Sequence, residues 1–317
     1  ENCASLTQIN LPEGLEVIKN SVFVGTAIKD ITFPSTLTQL QDKAFENVTT
    51  LKTVDFNDAA TTIGKACFQG CNALETVSNT ENVTELGDYA FGSDSQTVGS
   101  VNKHCQSLTG EIKLNSVTKI GKAAFKNCSS LKQVSGLNHV TVIPEGAFQS
   151  CGSLECVTGL ENVTELGKNA FADCRIFKGG KYTTGIIELE GLKLSQLTSI
   201  GAYALKSVQV AFDIGEDTFR DLTYLGAGAF SGVSKMTGSL TLPEGITSVG
   251  TATFSGTSIT EVNLPNSIQS IGERAFISCT QLTSVQIGQK DGQSSELQRI
   301  EWAAFGKDAA INSVINS

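Results

Sequence analysis

The stretch Ile271-Gly272-Glu273-Arg274-Ala275-Phe276, followed by Cys279, Leu282, Val285 and Ile287, decides the fold, because the same text returns along the whole chain. Its first six residues are an aliphatic, often Gly, two variable residues, a small residue and Phe. They recur as Ile63-Gly64-Lys65-Ala66-Cys67-Phe68 and Ile120-Gly121-Lys122-Ala123-Ala124-Phe125. The closing aromatic stands at Phe23, Phe45, Phe68, Phe91, Phe125, Phe148, Phe171, Phe230, Phe254, Phe276 and Phe305, and Leu205 takes the slot once. Eleven of the 16 Phe residues therefore occupy one position, most often 23 residues apart, with 22, 24 and 25 as variants and 29, 34 and 34 as insertions.

After each Phe come a small residue at the third position and aliphatics at the sixth, ninth and eleventh, as in Phe45, Val48, Leu51, Val54 and Phe56. The alternation around the last two predicts a short strand with one buried face. Pro12, Pro34, Pro243 and Pro265 end such strands, since proline lacks the amide a further ladder bond needs. The Ala-Phe phrase predicts one helical turn. A unit this small cannot bury its apolar face alone, so successive units must stack with their strands ~4.8 Å apart. The expected class is α/β, a β-rich right-handed solenoid of about twelve coils of ~23 residues, with a parallel sheet and short helical turns.

These residues resemble the leucine-rich repeats of the BspA-like family, whose unit runs Leu-x-x-Ile-x-Leu-Pro, then Ile-Gly-x-x-Ala-Phe, then x-x-Cys-x-x-Leu. The likeness covers nearly the whole chain. It implies a curved solenoid with the parallel sheet on its concave side, and roles in surface attachment and protein binding rather than catalysis. Two features depart from the pattern. Leu205 replaces a Phe, and Ile214-Gly215-Glu216-Asp217-Thr218-Phe219 repeats the phrase only eleven residues before Phe230, which leaves the register of residues 206 to 224 open. Both termini fall in the strand half of a coil, so residues 1–317 read as a single solenoid cut from a longer chain. Stacking of copies through uncapped ends, as a spacer or filament protomer, is the alternative.

Composition narrows the partners. The chain has 317 residues with 23 Lys plus Arg against 32 Asp plus Glu, a formal net charge of −9, which excludes nucleic acid as a partner. No run approaches the ~18 apolar residues of a membrane span, so no membrane insertion is expected. The start at Glu1 carries no signal-peptide pattern and reads as a processed end or an internal cut.

Cys3, Cys71, Cys105, Cys128, Cys151, Cys174 and Cys279 share one repeat slot, filled by Thr26, Val48 and Thr257 elsewhere. The slot calls for a small buried side chain, with the thiol as an optional weak donor, rather than a disulfide framework or a metal site. Cys67 lies in the small slot before Phe68. Cys156 precedes Val157, so the alternation points it outward. Asn-x-Ser/Thr at Asn47, Asn82, Asn127 and Asn162 is no more than composition supplies.

Insertions fall near residues 92–104, 178–186 and 288–297. The first two lie between the aromatic turn and the next strand, and project from one rim. There Lys103, His104, Lys181 and Tyr182 are candidate contacts, Tyr182 foremost as an aromatic in a Gly-rich loop. The outward strand positions give the second candidate surface: Gln133 and Ser135, Cys156 and Thr158, Glu188 and Glu190, with Asp30, Thr32, Thr53, Asp55, Thr76, Ser78, Glu261, Asn263, Ser284 and Gln286 in line. They are short, polar and almost without aromatics. His104 and His139 have no partner pattern, and no nucleophile elbow, zinc-protease, P-loop or dinucleotide phrase occurs. The acidic group Asp213, Glu216, Asp217 and Asp221 matches no calcium loop. The expected function is a non-enzymatic adhesion module at or outside the cell surface. It would need no cofactor and would bind a protein or cell-surface ligand.

Overall fold

A computed structural model describes residues 3–93, 104–174, 177–178, 181–182, 187–288, 295–306 and 313–316. They fall into two compact units, Glu1–Asn162 with Cys174–Leu192, and Val163–Asp173 with Lys193–Ser317. Each unit is a parallel-sheet β-solenoid. There are about eleven turns in all. Twelve aromatic slots bound eleven intervals, which is why counting slots overcounts coils by one.

Most coils of the first unit give two strands, the first of them, here called the longer, being three residues in five coils and two at Cys156–Val157 and Glu188–Leu189. The longer ones, Asp30–Thr32, Thr53–Asp55 and Thr76–Ser78, pair in parallel and in register, Ile31 to Val54 to Val77. Glu111–Lys113, Gln133–Ser135, Cys156–Val157 and Glu188–Leu189 form a second such sheet. The shorter strands Val17–Ile18, Gln39–Leu40, Thr62–Ile63, Glu85–Leu86 and Lys119–Ile120 make a five-stranded sheet from the aliphatic that opens each hexad. In the second unit Phe212–Ile214, Met236–Thr241, Ser258–Leu264, Ser284–Ile287 and Ser313–Asn316 form the longer-strand sheet.

The aromatic slot builds the interior. In the first unit Phe45, Phe68, Phe91, Phe125 and Phe148 stack coil on coil with centroids 5.2–5.5 Å apart and planes within 15°. Phe230, Phe254, Phe276 and Phe305 repeat this in the second, at 5.4–5.5 Å and 5–7°. Near-parallel rings at that separation keep attractive dispersion while burying each face. Leu205 is fully buried in the same slot.

The expected helical turn at the aromatic is absent. Among the described residues the one helical segment is the 3-10 turn Leu194–Gln196. The residue two before every slot has a left-handed backbone, from Ser21, Lys43 and Ala66 through Arg274 to Ala303. The residue two after the slot does so at Asn47, Gly70, Asn127, Ser150, Ser207, Gly232 and Ser278, among others. Left-handed residues at these positions break an α-helix and turn alternate amides toward the next coil. Around Phe45, the amides of Lys43, Phe45 and Asn47 donate to the carbonyls of Lys65, Cys67 and Gln69 at 2.7–2.9 Å, while those of Ala44, Glu46 and Val48 close local turns. Stacking, not helix formation, satisfies this stretch.

The cysteine slot is buried as expected for Cys71, Cys105, Cys128, Cys151, Cys174 and Cys279, and Cys67 is buried beside Phe68. Cys3 is the exception. It is exposed, so its sharing of the slot does not bury it. The open register near residues 206 to 224 also resolves. Ile214–Phe219 is not a coil but the corner between two strands, and Phe219 turns its ring edge-on to Phe230 at 5.7 Å and 71°.

Candidate binding surface

Six expected contact residues meet on one face of the first unit. Pairing places Glu111, Gln133, Cys156 and Glu188 side by side across four strands, with Lys113 beside Ser135 one pleat further on. Thr158 and Glu190 continue the outward positions of their strands, and the Thr158 hydroxyl accepts the Gly136 amide at 3.3 Å. Period-two alternation buries Ile112, Val134, Val157 and Leu189 beneath them.

Glu111 and Lys113 belong to this face, and counting from the aromatic slot passes over them. Leu108-Thr109-Gly110-Glu111-Ile112 holds one residue more than Leu131-Lys132-Gln133-Val134, and Gly110 absorbs it with a φ of 78°. Met236-Thr237-Gly238-Ser239-Leu240 carries the same addition, with a register shift at Gly238/Ser239. The shared Thr-Gly pair is the signal that could have found it.

The electrostatics of the face are set by carboxylates. At the outward positions of the longer strands Asp30, Asp55, Glu111, Glu188 and Glu190 stand against Lys113, which lies 3.7 Å from Glu81, while Lys29, Lys52 and Lys132 directly precede three of the strands. Glu111 accepts hydrogen bonds from Ser135 Oγ and, at 3.4 Å, from Gln133 Nε2. Thr53 donates to Asp30 at 2.6 Å. The Cys156 thiol is half-buried among these groups. Desolvation pushes its pKa up, and the Glu188, Glu190 and Glu111 charges add to the shift, so at neutral pH it is a thiol and not a nucleophilic thiolate.

None of the described rim residues belongs to a strand of that sheet. His104 is half-buried at the turn before Cys105, and burial pushes its imidazole down toward the neutral form. Lys181 and Tyr182 form a short strand that pairs antiparallel with Phe177–Lys178, Phe177 with Tyr182 and Lys178 with Lys181. Lys103 lies outside the described residues, as do residues 289–294 of the third insertion. Among the described residues no three His, Cys, Asp or Glu side chains gather into a metal-holding group, and no helix is long and apolar enough to cross a membrane.

Comparison with known proteins agrees with this architecture. No curated protein matches the chain. A leucine-rich repeat protein of Bacteroides ovatus has the same fold, with a TM-score of 0.55 and 23% identity over 95% of this chain and 78% of that one. Two other solved structures are similar at lower TM-scores. A leucine rich cell surface protein of Faecalibacterium prausnitzii gives 0.39 and 20% identity over 96% and 89%. The leucine-rich repeat protein of T. pallidum gives 0.46 and 21% over 69% and 82%. The pattern of the BspA type leucine rich repeat region matches residues 1–102, 102–178 and 198–316, in six copies, and with the ring stack, the cysteine slot and the parallel sheets it assigns the chain to the BspA-type leucine-rich repeat family.

Proposed function

We propose that this chain is a non-catalytic binding module, displayed at or outside the cell surface, that docks a protein partner on the longer-strand face of its first unit. Membership in a family of surface leucine-rich repeat proteins supports the setting. The observation that carries the docking face is its charge: at the outward strand positions five carboxylates stand to one ammonium among mostly short polar side chains. Such a face attracts basic surfaces and gains more in association rate and specificity than in affinity per contact. It lacks large aromatic anchors, so binding through several weak contacts fits better than one hot spot.

Binding to a panel of basic and acidic extracellular matrix proteins, measured on the immobilised chain at low and high salt, tests this. The expected result is salt-sensitive capture of basic members only, lost in a Glu188→Lys/Glu190→Lys variant that folds normally. Absence of capture at high micromolar concentration overturns the reading. If the chain also stays monomeric in sedimentation, it acts as a spacer, and if it grows with concentration, as a filament protomer.

A further inference from the structure

One departure of the second unit from its repeat, at the corner after Ile214, borders a cleft. Two of its coils leave the longer strand through a proline corner, Leu242-Pro243-Glu244 and then Leu264-Pro265-Asn266, and these corners are tied to each other. The Leu242 amide donates to the Asn263 carbonyl at 3.1 Å, and the Glu244 carboxylate accepts the amides of Asn266 and Ser267, each at 3.1 Å. The preceding corner, Gly215–Asp221, has no proline and closes on itself. Gly215 N donates to the Thr218 hydroxyl at 2.8 Å, Thr218 N to the Gly215 carbonyl at 3.1 Å, and Leu222 N to the Phe219 carbonyl at 3.0 Å, while the buried Phe219 ring anchors it.

Between this corner and the two proline corners lies a cavity of about 570 Å³. Its floor is the outward row of the sheet, Ser239, Thr241, Asn263 and Gln286, and its outer wall is Glu216, Asp217 and Arg220. The volume lies within the range of pre-formed ligand sites.

We infer that this cleft takes an extended polypeptide segment bearing Lys or Arg. The inference rests on the protein-binding reading above and narrows the partner to a basic segment held by the second unit. The floor is uncharged and made of amides and hydroxyls repeating at strand spacing, which suits the donors and acceptors of a peptide backbone. Asn263 is held in place by donating to Ser239 Oγ at 3.4 Å and Thr241 Oγ1 at 3.3 Å. No Trp, Tyr or Phe lines the cavity, so a sugar ring has no stacking platform. Three carboxylates, Glu216, Asp217 and Glu244, face one guanidinium, Arg220, which leaves the lining two charges negative and unfavourable to phosphate. Glu216 and Asp217 are exposed on the outer wall, where a cationic side chain entering the cleft would meet them.

The test uses the Glu188→Lys/Glu190→Lys chain, in which the first unit's face no longer attracts cations, and a fluorescein-labelled dodecapeptide of alternating Gly and Lys, followed by anisotropy at low salt. The expected result is saturable binding that weakens about tenfold or more on adding Glu216→Lys/Asp217→Lys, and by a similar factor on adding Gln286→Trp, which fills the floor and leaves the charges in place. Circular dichroism melts confirm that each variant folds. Unchanged affinity in both variants makes the attraction diffuse and overturns the inference. So does failure of the parent chain to bind the peptide, in which case the protein-binding reading still stands or falls on the matrix panel alone.

Discussion

The Cys151 thiol donates to the main-chain carbonyl of Phe125 at 3.1 Å, one coil back, and thereby ties the cysteine slot to the aromatic slot. Cys71, Cys105, Cys174 and Cys279 make the same bond to Phe45, Phe68, Phe148 and Phe254 at 2.9–3.2 Å. Thr257 fills the slot differently, with its hydroxyl donating to the Phe254 carbonyl of its own coil at 2.9 Å. The slot thus asks for a small buried side chain, since Val48, Val208 and Val233 fill it with no proton to give, and where a donor is present sulfur and oxygen both serve.

That exchange predicts Cys151→Thr to cost under about 1 kcal/mol, whereas Cys151→Leu, which overfills a fully buried site, should cost about 1–3 kcal/mol. Urea unfolding midpoints measure both. Thiol labelling gives an independent readout. Iodoacetamide should modify the exposed Cys3 in the native protein, Cys156 more slowly because its pKa is raised, and all nine cysteines only after unfolding. Rapid native labelling of Cys128 or Cys151 would contradict the packing.

Alkaline pH should destabilise the fold through the same groups. Burial pushes the thiols of Cys67, Cys71, Cys105, Cys128, Cys151 and Cys279 above their ordinary value of 9.0. Unfolded, they ionise near that value. Above it the native state holds more protons than the unfolded one, so stability falls as pH rises, by up to about 1.4 kcal/mol per unit for each thiol. Below about pH 8 these groups leave stability flat. Urea midpoints under reducing conditions at pH 7.5, 9 and 10 should show the fall, and Cys71→Val with Cys128→Val should reduce it, since Val48 already occupies the slot in one coil. An equal fall in that variant would place the alkaline sensitivity elsewhere.

Gly87 faces the preceding coil so closely that an added Cβ would lie 2.5 Å from the carbonyl carbon of Gly64 and 2.5 Å from the Lys65 nitrogen. Both are backbone atoms of a hydrogen-bonded coil and cannot move singly. Gly87→Ala should therefore cost about 2–4 kcal/mol, at the level of the larger core lesions. Gly245→Ala, whose Cβ would meet nothing closer than the Leu222 carbonyl oxygen at 3.6 Å, should be neutral or raise stability by about 0.4–1 kcal/mol. Thermal melts of the two single variants separate close coil approach from any general intolerance of the glycine.

The contrast between those glycines shows what the repeat makes readable. Phe125, Cys151 and Gly87 recur at one period because each meets its own counterpart in the next coil, so position in the period reveals environment before any coordinate is known. Glu111 stayed hidden because Gly110 inserts one residue and shifts the count. The Ile214–Phe219 phrase carries the residues of the repeat, but only eleven residues separate Phe219 from Phe230, too few for a coil, so sequence alone leaves its register open. The left-handed backbone at Lys43 and Arg274 leaves no trace in the residue type, since the conformation is imposed by main-chain bonds to the neighbouring coil.

That imposed conformation leads to the final prediction. Ala252, half-buried two residues before Phe254, has a φ of 53°, and its amide donates to the Glu273 carbonyl of the next coil at 2.9 Å. A Cβ branch is poorly tolerated in this region, so Ala252→Val should cost about 1–3 kcal/mol despite adding apolar volume. Ala252→Gly relieves the left-handed strain but loosens the unfolded chain by about 0.5–1 kcal/mol, so it should change stability little or raise it slightly. If the turn were instead helical at Ala252, glycine would cost about 1 kcal/mol and valine less. The order of the two variants in urea denaturation therefore distinguishes a turn held by its neighbouring coil from one formed by local helix propensity.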